Sequence, residues 1–230
     1  PGVAVNGWVR TIRESKAFAF VELNDGTYFK NLQIILEADK LQDYAELVKG
    51  ITTGAAIEVE GTLGMTAGMK QPFELKAADI QVEGESAPDY PLQKKFQKLE
   101  TLREMPHIRV RTNTFNAVFR ARSVMAAAIH RFFQDRGYVY INTPLITGSD
   151  CEGAGEMFQV TTIGYSKDYD SAEEYYADDF FGKKTGLSVS GQLEGEIAAM
   201  GLGKIYTFGP SFRAENSNTQ RHVAEFWHVE

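Results

Sequence analysis

Cysteine is almost absent. Cys151 stands alone in 230 residues, so no internal disulfide can form, and a reducing compartment fits. The four histidines, His107, His130, His222 and His228, are scattered, and with one cysteine they give no zinc spacing. No apolar run reaches membrane length and the N-terminus has no signal-peptide layout, so a cytoplasmic location is the expectation. The chain opens on Pro1 rather than Met, as a trimmed chain would. Positive charge is also in short supply. The net charge of −7 argues mildly against bulk attraction to nucleic acid. Internal repeats and low-complexity segments are missing too.

What is present is ordinary for a globular protein: 43% hydrophobic and 24% charged residues, with length enough for one large domain or two modest ones. The charge is unevenly spread. Residues 91–122 carry eight Lys and Arg against Glu100 and Glu104, whereas residues 150–200 carry eleven Asp and Glu against three Lys. On charge alone, the basic stretch is equally a meeting place for phosphates and a solvated helix face.

Residues 3–83 are rich in strand patterns. Short strands are expected around Val3–Ile12, Ala17–Leu23 and Leu32–Leu36, the second closed by the turn signal Asn24-Asp25-Gly26. Residues 39–49 have helical spacing and end at Gly50. Two further strands, around Ala56–Leu63 and Phe73–Val82, make five. Five short strands with one helix between the third and fourth is the order of an OB-fold barrel, which commonly binds oligonucleotides on one face. Residues 84–106 read as a linker, turn-rich and then basic and helical. A long helix follows at about 112–135, its apolar residues recurring from Phe115 to Phe133, with Gly137 as the stop. Tyr138–Ile146 reads as a strand interrupted at Pro144, which cannot donate to a ladder.

Residues 212–230 carry the most information. Phe212-Arg213-Ala214-Glu215 leads into a polar stretch, and Glu225–Glu230 then alternates like a strand. Two antiparallel strands joined by a long loop are expected, with Arg213 and Glu215 on one face of the first. A fixed guanidinium can hold a phosphate or carboxylate bidentately. The stretch resembles motif 2 of the class II aminoacyl-tRNA synthetases, and its wording resembles the aspartyl/asparaginyl branch. The long helix with Arg136-Gly137-Tyr138-Val139 and Thr143-Pro144-Leu145 resembles motif 1 of the same family. Thr147–Phe158, with Gly153 and Gly155 around Ala154, resembles the loop that closes over the amino acid.

That resemblance implies roles residue by residue. Arg213 would clamp the α-phosphate of ATP and the amino-acid carboxylate and act as the catalytic residue, stabilising charge in the transition state. Glu215 would sit by the adenine or the loop base, Phe226 would stack beneath adenine, and Arg221 and His222 would reach for phosphates or the tRNA end. Glu152 would face the substrate ammonium, and Gln192 and Glu230 would contact the amino acid. Phe20 and Gln33 match positions that stack on and hydrogen-bond the central anticodon base, with Arg13 a candidate for backbone phosphate. Alternation places Phe18 and Phe20 on one face, which is either core or outer surface. Pro144 would belong to a motif 1 dimer interface. ATP and Mg2+ are the implied cofactors. The implied partners are asparagine, tRNA-Asn and a second copy of the chain, with neither membrane nor DNA.

Asparagine is favoured over aspartate because Gly195 stands where aspartyl enzymes place a Lys. Without that cation a bound aspartate would keep a poorly compensated charge. Glu230, where aspartyl enzymes carry Asp, would accept from the Asn amide and repel aspartate. The expected fold is α+β with an all-β N-terminal part. It has a five-stranded OB barrel at 1–83, a linker at 84–106, and at 107–230 the first part of a class II antiparallel sheet with flanking helices. The family's third motif and its late acidic Mg2+ ligands do not occur, so no metal site is expected here. The chain is expected to be a fragment of an asparagine–tRNA ligase, inactive alone. Two other readings stay open: an aspartyl enzyme of relaxed specificity, and a non-catalytic OB-fold tRNA-binding module.

Overall fold

Phe18–Asn24 shows how the sequence builds the first part of the molecule. Ala19, Val21 and Leu23 are buried, while Phe18 and Phe20 face out at 43% and 41% exposure. The interior of a five-stranded barrel is narrow, so the small and branched side chains go in and the aromatic rings stay out. The computed structural model describes residues 2–66, 68, 71–151, 153, 155–164, 167–216, 219 and 221–230, and the chain divides into two units, 1–123 and 124–230.

In the first unit β1 (Gly2–Glu14), β2 (Phe18–Asn24), β3 (Leu32–Glu37), β4 (Ala56–Met65) and β5 (Phe73–Gly84) close a barrel in the order β1-β2-β3-β5-β4. Neighbours are antiparallel except β3 and β5, which pair in parallel through Ile34 with Leu75 and Ile35 with Lys76. The core holds Val9, Val21, Ile34, Leu36, Ile57, Val59 and Leu75, each at most 1% exposed. A bulge between Glu60 and Gly61 leaves Ala78 unpaired on β5, and the buried set shifts from Leu75 and Ala77 to Ile80. Gly61 is required there, because a Cβ would stand 2.2 Å from the Lys76 carbonyl oxygen.

Between β3 and β4 lies α1 (Tyr44–Gly50), shorter at its start than the helical spacing suggests. Asp43 adopts a left-handed conformation (φ 51), which Asp tolerates better than most residues and which holds the preceding turn out of the helix. Residues after the barrel form α2 (Leu99–Arg103) and a 3-10 turn at Arg109–Arg111. Next comes α3 (Asn113–Gln134), whose residues fall partly in each unit. The Thr112 hydroxyl accepts the Phe115 N–H at 3.3 Å, and Gly137 at φ 78 follows the helix end.

The second unit contains a sheet in the order β10-β9-β6, made of β6 (Val139–Ile141), β9 (Ile205–Phe212) and β10 (Glu225–Val229). β9 and β10 are antiparallel, while β6 runs parallel to β9. The intervening chain is long enough for that crossover and ends in α5 (Gln192–Leu202), which packs on β9. β7 (Ile146–Thr147) and β8 (Gly186–Leu187) form a separate pair beyond Pro144. The acidic stretch forms α4 (Ala172–Asp178), capped by the Ser171 hydroxyl, which accepts the Glu174 N–H at 3.1 Å. Tyr206 is fully buried and is a hub of the unit. Its hydroxyl lies 2.7 Å from His130 Nδ1, Phe133 stacks on its ring at 4.7 Å, and burial raises its phenol pKa.

Candidate active site and nucleic-acid face

The β9–β10 ladder positions the candidate residues. Phe226 lies opposite Ser211 and His228 opposite Gly209. Glu230 continues the ladder by exchanging backbone bonds with Thr207 at 2.9 and 3.2 Å. Phe226 and His228 are more covered than Glu225, Trp227 and Val229, so Phe226, His228 and Glu230 share one face. On β9 the ladder dictates the same face for Thr207, Gly209 and Ser211.

β9 itself ends at Phe212, so Arg213 and Glu215 lie just past the strand rather than on it, although the Arg213 N–H still reaches the Ala224 carbonyl at 3.0 Å. Their side chains nevertheless converge. A Cβ on Gly155 would meet Arg213 Cγ and Cδ and Glu215 Oε1, each at 3.1 Å. The Arg213 guanidinium lies 5.3 Å from the Phe226 ring centroid, and its Nε donates to the Val189 carbonyl at 3.3 Å. The guanidinium is thus fixed between an aromatic face and the turn that opens α5. Two N–H-bearing nitrogens are left to aim at an anion.

Glu230 is held by that same turn. Its carboxylate accepts from the Ser190 hydroxyl and from the Gly191 N–H at 2.8 Å, with Thr207 Oγ1 at 3.5 Å and His228 Nδ1 at 3.4 Å. Its side chain is 23% exposed. Gly191 packs closely here: a Cβ would come within 3.0 Å of Thr143 Oγ1 and 3.1 Å of Thr207 Oγ1, so both side chains would have to shift. Gly195, one turn into α5, is buried against Ile205 and Thr207. A small pocket is lined by Thr143, Gly191, Thr207, Ser211, His228 and Glu230.

Gln192 opens α5. Its amide donates to Glu196 Oε1 at 2.9 Å and accepts from the Cys151 thiol at 3.9 Å. Glu152 lies outside the described residues. Arg221 and His222 are exposed, with His222 Nδ1 bonded to Thr219 Oγ1. Pro144 is exposed between β6 and β7. Ser190, Gly191, Thr207 and His228 were not singled out by sequence. Of these only His228 had a legible signal, its even spacing from Phe226 and Glu230.

In the first unit, Arg13 of β1 and Ile35 of β3 pair with Phe20 on either side, so all three lie on the outer face of the barrel. Gln33 pairs with Glu22, two positions along that face, and donates to Glu74 Oε1 at 2.6 Å. The ambiguity over Phe18 and Phe20 is resolved outward.

Residues 98–230 match the family described as tRNA synthetases class II (D, K and N), and residues 3–83 match the OB-fold nucleic acid binding domain. The chain belongs to the class II tRNA synthetases. Among class II relatives, an asparagine–tRNA ligase from Acetivibrio thermocellus is 58% identical over 99% of this chain and 49% of that protein. The fold is that of asparaginyl-tRNA synthetase from Pyrococcus horikoshii complexed with asparaginyl-adenylate (TM-score 0.81, 24% identity, 99% of this chain and 48% of that one). It also matches asparaginyl-tRNA synthetase from Entamoeba histolytica in complex with asparaginyl-adenylate (TM-score 0.78, 25% identity, 99% and 48%). The chain spans about half the length of the curated relatives it matches. In this class II chain the OB-fold match coincides with the closed barrel.

Proposed function

We propose that the protein to which this chain belongs is an asparagine–tRNA ligase. In this reading it activates asparagine with ATP and transfers it to tRNA-Asn, and the chain supplies the anticodon-binding barrel and the motif 1 and motif 2 part of the catalytic domain. The observation that supports the reading is the shared face of β10, where Phe226 lies against the Arg213 guanidinium and Glu230 accepts from Ser190 and Gly191, read here as a nucleotide platform and a carboxylate for the amino acid. The names of the 54–58% identical relatives point the same way.

The chemistry asked of these residues is positioning and charge neutralisation. The asparagine carboxylate attacks the α-phosphorus of ATP, a new C–O–P link forms, and pyrophosphate leaves with the electrons of the broken P–O bond. Arg213 lies where it can bridge the two anions as they meet. Phe226 orients the adenine by stacking and Glu215 accepts from its amino group. A ribose hydroxyl at the tRNA 3′ end then attacks the carbonyl carbon and AMP departs. Glu230 accepts from the asparagine amide, while Gly195 offers no cation to an aspartate side chain. Gln192 and Glu152 are proposed for the substrate backbone groups, and Arg221 and His222 for phosphates or the tRNA end.

Mg2+, when bound, would aid the departure of pyrophosphate; among the described residues no three His, Cys, Asp or Glu side chains gather to hold a metal ion. On the barrel, Phe20 stacks on an anticodon base, Gln33 hydrogen-bonds it and Arg13 meets the backbone. In the second unit, exposed Val124, Met125 and Phe132 on α3, with Pro144 beyond it, support a homodimer face. A cytoplasmic location goes with this reading, as do the domain limits 1–83, 84–106 and 107–230.

Pyrophosphate exchange tests the function. A chain of the relatives' full length should exchange with asparagine and not with aspartate, and the 230-residue chain should be silent. Aspartate-dependent exchange would replace the reading with an aspartyl enzyme, and silence from both would leave an RNA-binding module.

A further inference from the structure

A cavity of about 210 Å³ lies in the first unit, and none of the residues proposed above for the catalytic or anticodon-binding sites lines it. Its charged and aromatic lining is Trp8, Arg10, Glu22, Tyr90, Lys94 and Arg111. We propose that this cavity binds the phosphate of a nucleotide, with Arg10 and Arg111 as its cationic walls and Trp8 as its flat one.

The charge balance of the walls comes first. Arg10, Lys94 and Arg111 face a single carboxylate, Glu22, and that carboxylate already accepts from Asn31 Nδ2 at 2.9 Å. Arg10 donates to the Arg111 carbonyl and Arg111 donates to the Tyr90 hydroxyl at 3.4 Å, so both side chains are held by neutral acceptors. Neutral acceptors fix their direction without cancelling their charge. Burial lowers the Arg10 pKa, with the Arg111 charge acting the same way and Tyr90 and Glu22 acting against it. A guanidinium taken from water beside another guanidinium is short of counter-charge, and an anion in the cavity relieves both costs.

Shape narrows the anion. Trp8 is 37% exposed, and the Arg111 guanidinium lies over its ring, 4.4 Å from the centroid, a cation–π pair that holds the guanidinium against the indole. Leu92 adds apolar wall. A cavity of about 210 Å³ has room for a phosphate group, which takes the space of only a few waters at ~30 Å³ each. The outer face also leads to it: Glu22 follows Phe20 by two positions on β2 and pairs with Thr11, which lines the cavity. The phosphate therefore comes either from a free mononucleotide or from one residue of an RNA strand lying along β2.

The test uses Trp8 itself. The chain has two tryptophans, Trp8 and Trp227, so W227F makes Trp8 the sole indole reporter of the 230-residue protein. 5′-AMP should change Trp8 emission saturably, adenosine should bind at least about tenfold more weakly, and R10Q and R111Q should each weaken 5′-AMP at least about tenfold. If W227F does not fold, calorimetry with 5′-AMP on the parent chain and its R10Q variant replaces it, the binding that R10Q removes belonging to this cavity and any that it leaves to the Arg213–Phe226 site. Displacement of 5′-AMP by tRNA assigns the phosphate to RNA, and failure to displace assigns it to a free nucleotide. No saturable response, equal affinity for adenosine, or an R10Q variant that binds like the parent overturns the proposal. The readout is independent of amino-acid activation, so a failed pyrophosphate exchange leaves it unmoved.

Discussion

Glu230, at the end of the β9–β10 ladder, accepts a 2.8 Å hydrogen bond from the backbone N–H of Gly191, at the turn into α5. The bond ties the strand end to the helix start, and the Ser190 hydroxyl adds a second tie. E230A strips both donors of a charged acceptor, which should cost about 1–3 kcal/mol. E230Q keeps one acceptor oxygen and should cost less. Thermal unfolding of the three proteins checks the order, and equal melting temperatures would sink it.

Gly195 tests whether the missing cation is a matter of space. A Cβ there would touch Ile205 Cδ1 and Thr207 Cγ2 at 3.4 Å, an ordinary contact. G195A should therefore hold stability or raise it by about 0.5–1 kcal/mol, the usual difference between Gly and Ala within a helix. G195K adds an ammonium at a buried position and should cost on the order of 3 kcal/mol. Denaturant midpoints separate the two. A G195A chain as unstable as G195K would show that packing, not charge, dictates glycine.

Phe20 faces solvent, so its loss should leave the barrel intact. F20A is expected to unfold like the parent and to weaken tRNA-Asn binding roughly five- to a hundredfold, the range for one base–aromatic stack. Filter binding or fluorescence anisotropy measures it, with F18A as the comparison on the same face. Unchanged affinity in F20A would remove Phe20 from the anticodon set.

Asp179 gives a pH signature. Its carboxylate accepts from the Thr162 N–H at 2.9 Å, from the Thr162 hydroxyl at 2.9 Å and from the Phe180 N–H at 2.8 Å. These bonds, the Thr162 N–H foremost, hold its pKa at about 2. A folded pKa below the unfolded one means stability that is complete above about pH 4 and lost as pH falls toward 2. The carboxyl carbon of Asp179 should titrate near 2 by NMR, and D179N should flatten the acid side of the stability profile. A midpoint near the ordinary aspartate value would contradict the bonding.

Much of this was readable from residue order. The five strands, the helix between the third and fourth, and the long helix closed by Gly137 follow from local periodicity and turn chemistry, which act within a dozen residues. Phase was harder. Alternation put Phe18 and Phe20 together but could not choose inside from outside, because that depends on the width of a barrel closed by strands far along the chain. The β9 end was misjudged: the strand was expected to carry both Arg213 and Glu215, yet it ends at Phe212, and Arg213 leaves it where its guanidinium turns to Val189 and Phe226. The cavity around Arg10 was not legible at all, since Tyr90 and Arg111 reach it across 80 to 100 residues of chain and leave no local pattern.

The register of β1 has a consequence for how the chain is made. Val5 pairs with Val59 and Trp8 with Ala56, so β1 has one neighbour close in sequence and another that emerges much later. At about 5–20 residues per second, β4 follows β1 from the ribosome by on the order of 3–10 s. Parallel pairing of β3 with β5 delays closure further. Through that interval the nascent chain carries an open strand edge next to Val3, Val5 and Val9, a binding site for any factor that shields extended apolar chain, and the site disappears when the barrel closes.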